Sequence, residues 1–306
     1  MNPLVPNSGM ADPHIYVFEG RVYLYTGRDA DPTLQRFLMP DWNVWSSADL
    51  ISWRHETTIS PNITYIGASA EPECWATSVA YRGGSYFFFF SNGGNGRAHN
   101  FGVMRASSPT LVDAVDALGR PLVSEPGDGG VTQTNLTRAA YDPTVFIDDN
   151  ETPYVCFGVL EWDGTTAGTK SQYLIAKLDE TFLALAEEPR PLHFLPRPDG
   201  AFMPSNDKST LHKRDGLYYL SAGSMYATLA SVYGPYTFRG DTNPHDGADR
   251  SFGLNTRGHG RFWSWRNQWF HVWCEFVSLN SSGVSPYPPD SKSFPRYRDS
   301  WMTYTH

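Results

Sequence analysis

Short runs of alternating apolar and polar residues, each closed by a turn and followed by an aromatic run, recur along the chain. From Gly9 to Asp29 the sequence reads GMADPHIYVFEGRVYLYTGRD, and from Ala139 to Gly158 it reads AAYDPTVFIDDNETPYVCFG. Alternation of this kind, broken by Gly, Asn or Asp, predicts β-hairpins. Helical periodicity is confined to short stretches such as LVDAVDALG. The pattern therefore predicts an all-β protein.

One pattern occurs in five copies: a distinctive residue, a short strand, a turn and an aromatic strand. The copies begin at Asp12, Trp75, Asp142, Asp207 and His259. Their spacing of roughly 50 to 70 residues matches one blade of a propeller with four-stranded blades. Further strand-like stretches follow most copies, and no linker rich in Pro, Gly or Ser divides the chain. The sequence predicts one domain over residues 1–306, a five-bladed β-propeller with four-stranded blades.

The first strand of each propeller blade lines the central channel, so the residues that open the repeats should converge there. Asp12 and Asp142 each precede a proline, and a residue in that position is normally held extended. Both are therefore expected in extended backbone where a strand begins. Asp-Pro is also a common turn dipeptide. Two copies at the same repeat phase, with Asp207 at that phase in the fourth unit, favour a functional grouping.

Three carboxylates around one channel repel one another, so their pKa values should separate. One ionised base, one protonated acid and one helper are what glycoside hydrolysis with inversion requires. The acid and base carboxyl groups must then lie about 6.5–9.5 Å apart to leave room for a water. A divalent metal held by the carboxylates is the competing interpretation, although no Asp-rich loop of the EF-hand type accompanies them.

The composition restricts the other function classes. A net charge of −8 argues against a nucleic-acid partner, and the lack of a run of about 18 apolar residues argues against a membrane-spanning helix. No signal peptide is visible in MNPLVPNSGM, which leaves a cytoplasmic protein or a secreted or periplasmic one without its leader. Cys74, Cys156 and Cys274 show no CxxC spacing, so neither a disulfide framework nor a zinc site is predicted.

The ordered set of motifs resembles glycoside hydrolase family 43. The motifs are ADPHIYVFEGRVYLY, VWSSADLISW, CWATSVAYRGGSYFFFFS, YDPTVFIDD, LHKRDGLYYLSAG, YGPYTFRG and GHGRFWSWRNQWF, and they extend over nearly the whole chain. The resemblance implies a five-bladed propeller that acts as an inverting arabinofuranosidase, xylosidase, arabinanase or galactosidase.

By this resemblance Asp12 is the general base, and Asp142 is the second Asp, which tunes the pKa of the acid and helps to orient it. The acid of the family is usually a Glu that opens the fourth unit, and aligning on LHKRDGLYYL places Asp207 there instead. Asp is one methylene shorter than Glu. Lys208 beside it would lower its pKa, which is the wrong direction for an acid at neutral pH.

Three alternatives follow from this departure. Asp207 is the acid with an adjusted backbone, or another residue supplies the proton, or the site binds sugar without cleaving it. The candidates for the second alternative are Glu73, Glu275 and His212.

The remaining site residues are assigned by position and by resemblance. His259 in RGHGRFW matches the axial histidine of the family, which is often near a central cation or water; a structural calcium would fit there, and no cofactor is required. A histidine held by hydrogen bonds among strand ends fits equally. Trp75 and Trp45 are candidates for stacking on a sugar, with core packing as the alternative. Arg257 and Arg298 could bind sugar hydroxyls, with surface salt bridges as the alternative.

The sequence therefore predicts an exo-acting inverting glycosidase that removes a terminal sugar, α-L-arabinofuranose, from fragments of plant or algal polysaccharides. A β-xylosidase or galactosidase on the same scaffold is the first alternative, and a propeller that binds carbohydrate without hydrolysis is the second. The expected partner is an oligosaccharide, with no nucleic acid and no membrane, and the sequence does not give the oligomeric state.

Overall fold

Antiparallel β-strands make up almost all of the regular structure. The computed structural model describes residues 4–5, 8–30, 39–67, 73–92, 100–123, 139–161, 170–198, 200, 208–222, 225–241, 260–276 and 298–305. Within these residues the strands form five sheets, four with four strands and one with three. In every sheet, strands that are consecutive in the sequence lie side by side, so each sheet is an antiparallel meander.

Each sheet is one blade. Blade 1 contains β1 (Met10–Phe18), β2 (Arg21–Arg28), β3 (Trp42–Ser47) and β4 (Arg54–Ile59), and a short 3₁₀-helix, Pro61–Ile63, follows it. Blade 2 contains β5 (Cys74–Arg82), β6 (Ser85–Asn92), β7 (Asn100–Ala106) and β8 (Val115–Asp116). Blade 3 contains β9 (Ala139–Ile147), β10 (Pro153–Glu161), β11 (Lys170–Lys177) and β12 (Arg190–Pro191). Blade 4 contains β13 (Ser209–Arg214), β14 (Leu217–Ala222), β15 (Met225–Leu229) and β16 (Thr237–Asp241). The described strands of blade 5 are β17 (Gly260–Trp265), β18 (Gln268–Phe276) and β19 (Arg298–Thr305).

The first strands of the blades form a closed ring. β1 contacts β5, β5 contacts β9, β9 contacts β13, β13 contacts β17, and β17 contacts β1. The last blade therefore meets the first, and the five first strands surround a common axis. This arrangement confirms the predicted five-bladed propeller and places the first strand of each blade at the channel.

Two-residue turns join the first and second strands in four of the described blades. Both turn residues have positive φ, which is the type I′ geometry that matches the twist of a hairpin. The pairs are Glu19-Gly20, Gly83-Gly84, Asp215-Gly216 and Arg266-Asn267. Glycine and short polar side chains tolerate this conformation best, which explains why EG, GG and DG punctuate the repeats.

Apolar side chains pack between neighbouring blades. The run SYFFFFS forms β6, in which successive side chains point to opposite faces. Phe87 and Phe89 pack towards blade 3, whereas Phe88 and Phe90 pack towards blade 1. Both faces are buried, which explains a continuous apolar run. Each buried Phe stabilises the fold by about 1.5–3 kcal/mol.

The interface between blades 4 and 5 is built differently, around two histidines. The ring of His212 stacks on Tyr219, with centroids 4.9 Å apart, and also contacts Phe262 and Trp269. His271 stacks on Phe262 at 4.2 Å. Burial is the main cause that lowers the pKa of each histidine to about 3. Both rings are therefore neutral at ordinary pH.

Two further features of the fold concern the cysteines and the membrane. Cys74, Cys156 and Cys274 are buried and form no disulfide. The part of the chain that the structure describes contains no helix long and apolar enough to cross a membrane.

Candidate active site

Asp12 and Asp142 occupy equivalent β-bulges where the first strands of blades 1 and 3 begin. The register of β1 against β2 shifts between Ala11 and His14, so that two residues oppose one. The register of β9 against β10 shifts in the same way around Asp142. The φ angles of the two aspartates are 51° and 54°, which is the left-handed region. A bulge re-aims its side chain relative to the strand, so both carboxylates leave the sheets at the same point of the repeat.

The expectation that the residue before each proline is extended is wrong at both positions. A bulge needs one residue to leave the extended conformation so that two residues can face a single partner. Asp is several-fold enriched among the residues that adopt positive φ. The Asp-Pro pair therefore marks a bulge in this fold, in which Asp supplies the left-handed residue and Pro restores a negative φ.

Trp75 lies at the third bulge of this kind. The register of β5 against β6 shifts between Cys74 and Thr77. The Trp75 ring is half-buried and meets Tyr141, the residue before Asp142, edge to face with centroids 6.1 Å apart. The structure therefore brings Trp75 to the same end of the channel as Asp142. Its predicted role as a wall of a sugar pocket stays a prediction.

The two carboxylates are buried and have different neighbours. Asp12 is 4% exposed and Asp142 is 5% exposed. Oδ1 of Asp12 lies 4.0 Å from Sγ of Cys274, on the second strand of blade 5. The backbone N–H of Asp142 donates to Oγ of Ser91 over 3.1 Å, which joins blade 3 to blade 2.

Lys208 links the two aspartates electrostatically. Its side chain is 1% exposed, and Nζ donates to the carbonyl of Thr77 over 2.9 Å and to that of Pro143 over 3.2 Å. The ammonium thus reaches from blade 4 to blades 2 and 3. Burial lowers its pKa, and the carboxylates of Asp142 and Asp12 act in the opposite direction. A cation at this place favours the ionised form of both carboxylates.

Sequence reasoning missed this role of Lys208. It treated the lysine only as a neighbour of Asp207 that would affect one pKa. The available signal was the position itself: a lysine at the start of an inner strand, in the phase where Pro13 and Pro143 stand in blades 1 and 3. A long cationic side chain at that phase has to cross the channel.

Several predicted site residues are not placed with these groups. Asp207, Arg257 and His259 lie outside the described residues. Arg298 begins β19 with its backbone paired to Phe276, and nothing further is described for it. Trp45 lies on the third strand of blade 1, where its ring meets His55 with centroids 4.8 Å apart and packs on the core between blades 1 and 5. The structure therefore does not bring Trp45 together with the two aspartates.

The alternative proton donors differ in position. His212 lies three residues beyond Ser209 on β13, about 10 Å further along the strand, and its pKa of about 3 makes it a neutral ring rather than an acid. Glu73 is half-buried and precedes β5, and its carbonyl accepts from the N–H of Trp75 over 3.0 Å. The side chain of Glu275 is not among those described. Glu73 directly precedes β5, the first strand of blade 2.

The described channel residues do not by themselves form a calcium site, and His259, the residue predicted to lie near a calcium ion, is outside them. Calcium takes oxygen ligands, chiefly carboxylates and carbonyls. Among the residues that the structure covers, no group of three or more His, Cys, Asp or Glu side chains is arranged to hold a metal. Two carbonyls that face the channel, those of Thr77 and Pro143, already accept from the Lys208 ammonium. A cation would therefore compete with a lysine that is already in place.

Comparison with known proteins gives one family. The model for "Glycosyl hydrolases family 43" matches residues 1–282. An arabinoxylan arabinofuranohydrolase of Bacillus subtilis (strain 168) is 29% identical over 308 residues, covering 89% of this chain and 57% of the relative. A xylosidase/arabinosidase of Bacteroides ovatus is 26% identical over 281 residues, covering 78% of this chain and 79% of the relative. The chain thus spans little more than half the length of the first of these relatives.

The solved structures agree with the fold. A β-xylosidase/α-arabinofuranosidase from a compost microbial metagenome, crystallised with xylotriose in a calcium-free form, has a TM-score of 0.75. It is 22% identical, and the match covers 100% of this chain and 94% of that chain. At this level of identity the likeness establishes the shared fold.

Proposed function

The chain belongs to glycosyl hydrolases family 43, and on this premise we propose that it is an inverting exo-glycosidase that releases terminal α-L-arabinofuranose from plant or algal polysaccharide fragments. The names of the relatives, arabinoxylan arabinofuranohydrolase and xylosidase/arabinosidase, support a pentose. The observation that carries the proposal is the pair of buried aspartates on equivalent bulges, held in one electrostatic cluster with Lys208.

Asp12 is proposed as the general base. A base for an inverting reaction must be ionised and must take a proton from the water that attacks the anomeric carbon. The Lys208 ammonium supports the ionised form electrostatically, and the carbonyls of Thr77 and Pro143 hold its Nζ in place. The proton of the water passes to Asp12, and the water oxygen forms the new bond on the face opposite the leaving group.

Asp142 is proposed to modulate the acid, and Asp207 is proposed as that acid. Asp142 lies one blade before the strand that Asp207 precedes, and its negative charge would raise the pKa of a carboxyl group nearby. This effect offsets the lowering expected from Lys208. The protonated acid then donates to the glycosidic oxygen as the bond to the anomeric carbon breaks. Glu73 is the alternative donor.

Trp75 is proposed as a stacking surface for the sugar ring. Its half-buried indole stands at the same bulge phase as the two aspartates and beside Tyr141. Aromatic faces of this kind bind the apolar face of a sugar while polar groups fix its orientation. Arg257, Arg298 and His259 stay candidates for the polar contacts.

The experiment that tests the proposal is a panel of aryl glycosides with an acid variant. The substrates are the α-L-arabinofuranoside, β-D-xyloside, α-L-arabinopyranoside and β-D-galactoside, and proton NMR follows the anomeric configuration of the first product. We expect cleavage of the arabinofuranoside with inversion. In Asp207→Ala the rate should fall, and it should fall least for the best leaving group. Asp149→Ala, which removes an exposed aspartate paired with Lys213, is the matched control.

Each other outcome changes the assignment. Faster cleavage of the xyloside or galactoside would move the specificity to that sugar. An unchanged rate in Asp207→Ala would move the acid to another residue, with Glu73→Gln as the next variant. Retention of configuration would contradict the inverting mechanism.

A carbohydrate-binding propeller without hydrolysis is the second candidate, because Asp replaces the Glu expected at position 207. Calorimetric binding of arabinoxylan oligosaccharides, with no release of arabinose or xylose after prolonged incubation, would support it.

A further inference from the structure

Buried polar atoms without a partner collect in one layer of the channel, just beyond the bulges. His14 and Thr77 are the first regularly paired residues after the bulges of β1 and β5, and Arg261 is the second residue of β17. Nε2 of His14, Oγ1 of Thr77, and Nε and Nη1 of Arg261 are buried, and among the residues that the structure describes no hydrogen-bond partner is found for them. The three residues come from blades 1, 2 and 5, which are neighbours around the ring.

Contacts place Arg261 and His14 on the same tyrosine, Tyr16, and the backbone of Thr77 lies within hydrogen-bond reach of His14. The guanidinium of Arg261 lies over the ring of Tyr16, with Cζ 4.1 Å from the ring centroid. The hydroxyl of Tyr16 is 3.5 Å from Nδ1 of His14 and 2.9 Å from Oγ of Ser78, the residue next to Thr77. The face of the guanidinium is thus used by the tyrosine, while the N–H groups Nε and Nη1 lack an acceptor.

The glycine before Arg261 explains how β17 comes this close. A Cβ atom at Gly260 would lie 1.9 Å from the carbonyl oxygen of Val272 on β18. No side chain fits there, so glycine alone allows the start of β17 to lie tightly against its neighbour. Arg261 then begins its side chain deep in the blade, rather than at the surface.

Two cations, Lys208 and Arg261, act on this layer, and the carboxylates of Asp142 and Asp12 lie close enough to act on Lys208. Burial is the largest cause that lowers the pKa of the His14 ring, the charges of Lys208 and Arg261 act in the same direction, and a hydrogen bond with the backbone of Thr77 acts in the opposite direction. His14 is therefore neutral, and the cationic charge comes from the lysine and the arginine. The Lys208 ammonium already donates to two carbonyls, whereas the buried Nε and Nη1 groups of Arg261 have no acceptor among the described residues, which is costly for a cation. An acceptor with a negative charge would remove that cost.

We propose that this layer is a binding site for a small inorganic anion of the halide class, held by Arg261, His14 and Thr77. Arginine donates through Nε and Nη1, and neutral His14 and the Thr77 hydroxyl can each turn a donor towards the same point. The anion joins blade 5 to blades 1 and 2, where the last blade meets the first. Its expected effect is on the stability of the ring, so the site is independent of whether the protein hydrolyses glycosides.

The first test uses bromide as a probe that X-rays distinguish from water. Crystals of the protein grown without halide and soaked in sodium bromide are measured at the bromine absorption edge. We expect an anomalous peak within hydrogen-bond distance of Arg261 Nε or Nη1. The peak should vanish in Arg261→Met and persist in Arg266→Met. Arg266 is the matched control because it also covers an aromatic ring, that of Trp265 at 4.0 Å, but lies exposed in the next turn of the same blade.

The second test measures stability in solution. Thermal unfolding is followed while sodium chloride replaces sodium gluconate at constant ionic strength. In the parent protein and in Arg266→Met, the midpoint of thermal unfolding should rise by about 3 °C and level off with increasing chloride. In Arg261→Met the midpoint should not rise. If Arg261→Met does not fold, the bromide map of the parent protein decides.

Two results would overturn the proposal. One is an electron-density peak in the channel that shows no anomalous signal after the bromide soak, which would identify the bound species as water. The other is a chloride effect of equal size in Arg261→Met and Arg266→Met, which would be a general salt effect.

Discussion

Blades 1 and 3 differ from blades 4 and 5 in the groups that they bring to the interior. Blades 1 and 3 each supply an aspartate from a bulge with left-handed backbone. Blades 4 and 5 supply nitrogen: the ammonium of Lys208, the guanidinium of Arg261 and the neutral rings of His212 and His271. The repeat thus fixes where a side chain emerges, and the residue type at that phase decides its chemistry.

This contrast explains how buried carboxylates are tolerated. An isolated carboxylate in the interior is costly unless it is paired or hydrogen-bonded. Blades 4 and 5 complete the ring between blades 3 and 1, so the cations come from strands next to those that carry the carboxylates. The carbonyls of Thr77 and Pro143 also hold the Lys208 ammonium, which fixes its charge where it acts on both carboxylates.

The largest effect is expected for Asp12→Asn. Loss of the proposed base should lower kcat/KM for the preferred aryl glycoside by about 10³-fold or more. The free energy of unfolding should change little, because Asn also tolerates positive φ. Steady-state kinetics and urea unfolding measure the two quantities.

Asp12→Ala is the companion variant. It should be equally inactive, and less stable by about 1 kcal/mol because of the cost of a left-handed alanine. Near-full activity in Asp12→Asn would remove Asp12 from the role of base.

Asp142→Asn should have a smaller and different effect. We expect kcat/KM to fall by about 10–10²-fold and the alkaline limb of its pH profile to move to lower pH. The physical reason is that a negative charge near the acid raises the pKa of that acid, so its loss lets the acid deprotonate earlier. The pH dependence of kcat/KM is the measurement.

The same profile in Asp12→Asn, recorded on its residual activity, is the comparison. A loss as large as that of Asp12→Asn, with an unmoved alkaline limb, would mean that blades 1 and 3 do not divide the roles as proposed.

Much of this arrangement could be predicted from the sequence because it depends on local patterns. Turn pairs such as Asp215-Gly216 set the hairpins, and the phase of Asp12 and Asp142 in the repeat placed both at the channel. The left-handed backbone could not be predicted, because the proline after each Asp indicates extended backbone when the pairing of the strand is unknown.

The contacts that Lys208 and Arg261 make with other blades could not be predicted from the sequence either. Their partners, Thr77, Pro143 and Tyr16, are between 65 and more than 200 positions away in the chain. Such contacts depend on how five blades close into a ring, and neither periodicity nor spacing encodes them. The sequence therefore indicated which strands meet at the axis, but not which side chains cross it.

The third prediction concerns the interface of blades 4 and 5 in acid. His212 has a pKa of about 3 in the folded protein against an ordinary value of 6.5. Below pH 6.5 His212 becomes protonated in the unfolded chain but stays neutral in the folded protein. The free energy of unfolding therefore falls as the pH drops towards 3. His212→Phe removes this linkage and keeps an aromatic ring in the stack. At pH 3 the free energy of unfolding of this variant should exceed that of the parent protein by roughly 2–4 kcal/mol.

Urea unfolding at a series of pH values measures the slope. The control is His55→Phe, which removes an exposed histidine that also meets a tryptophan, Trp45, but in blade 1. If the two variants gain equally in acid, the burial of His212 is not the cause.

The smallest effect is expected for the removal of one of two hydroxyl groups that occupy equivalent positions in blades 1 and 2. Ser91 on β6 and Thr26 on β2 each lie opposite a bulge of the preceding strand. Oγ of Ser91 accepts from the backbone N–H of Asp142, whereas Oγ1 of Thr26 has no partner among the residues that the structure describes. Removing an acceptor leaves a buried N–H unsatisfied at a cost of about 1–2 kcal/mol, while removing a hydroxyl without a partner costs little. Ser91→Ala should therefore lower both the urea midpoint and kcat, the latter severalfold, whereas Thr26→Val should change neither. An equal loss in both variants would mean that Ser91 contributes through packing, and that blade 3 holds its aspartate without help from blade 2.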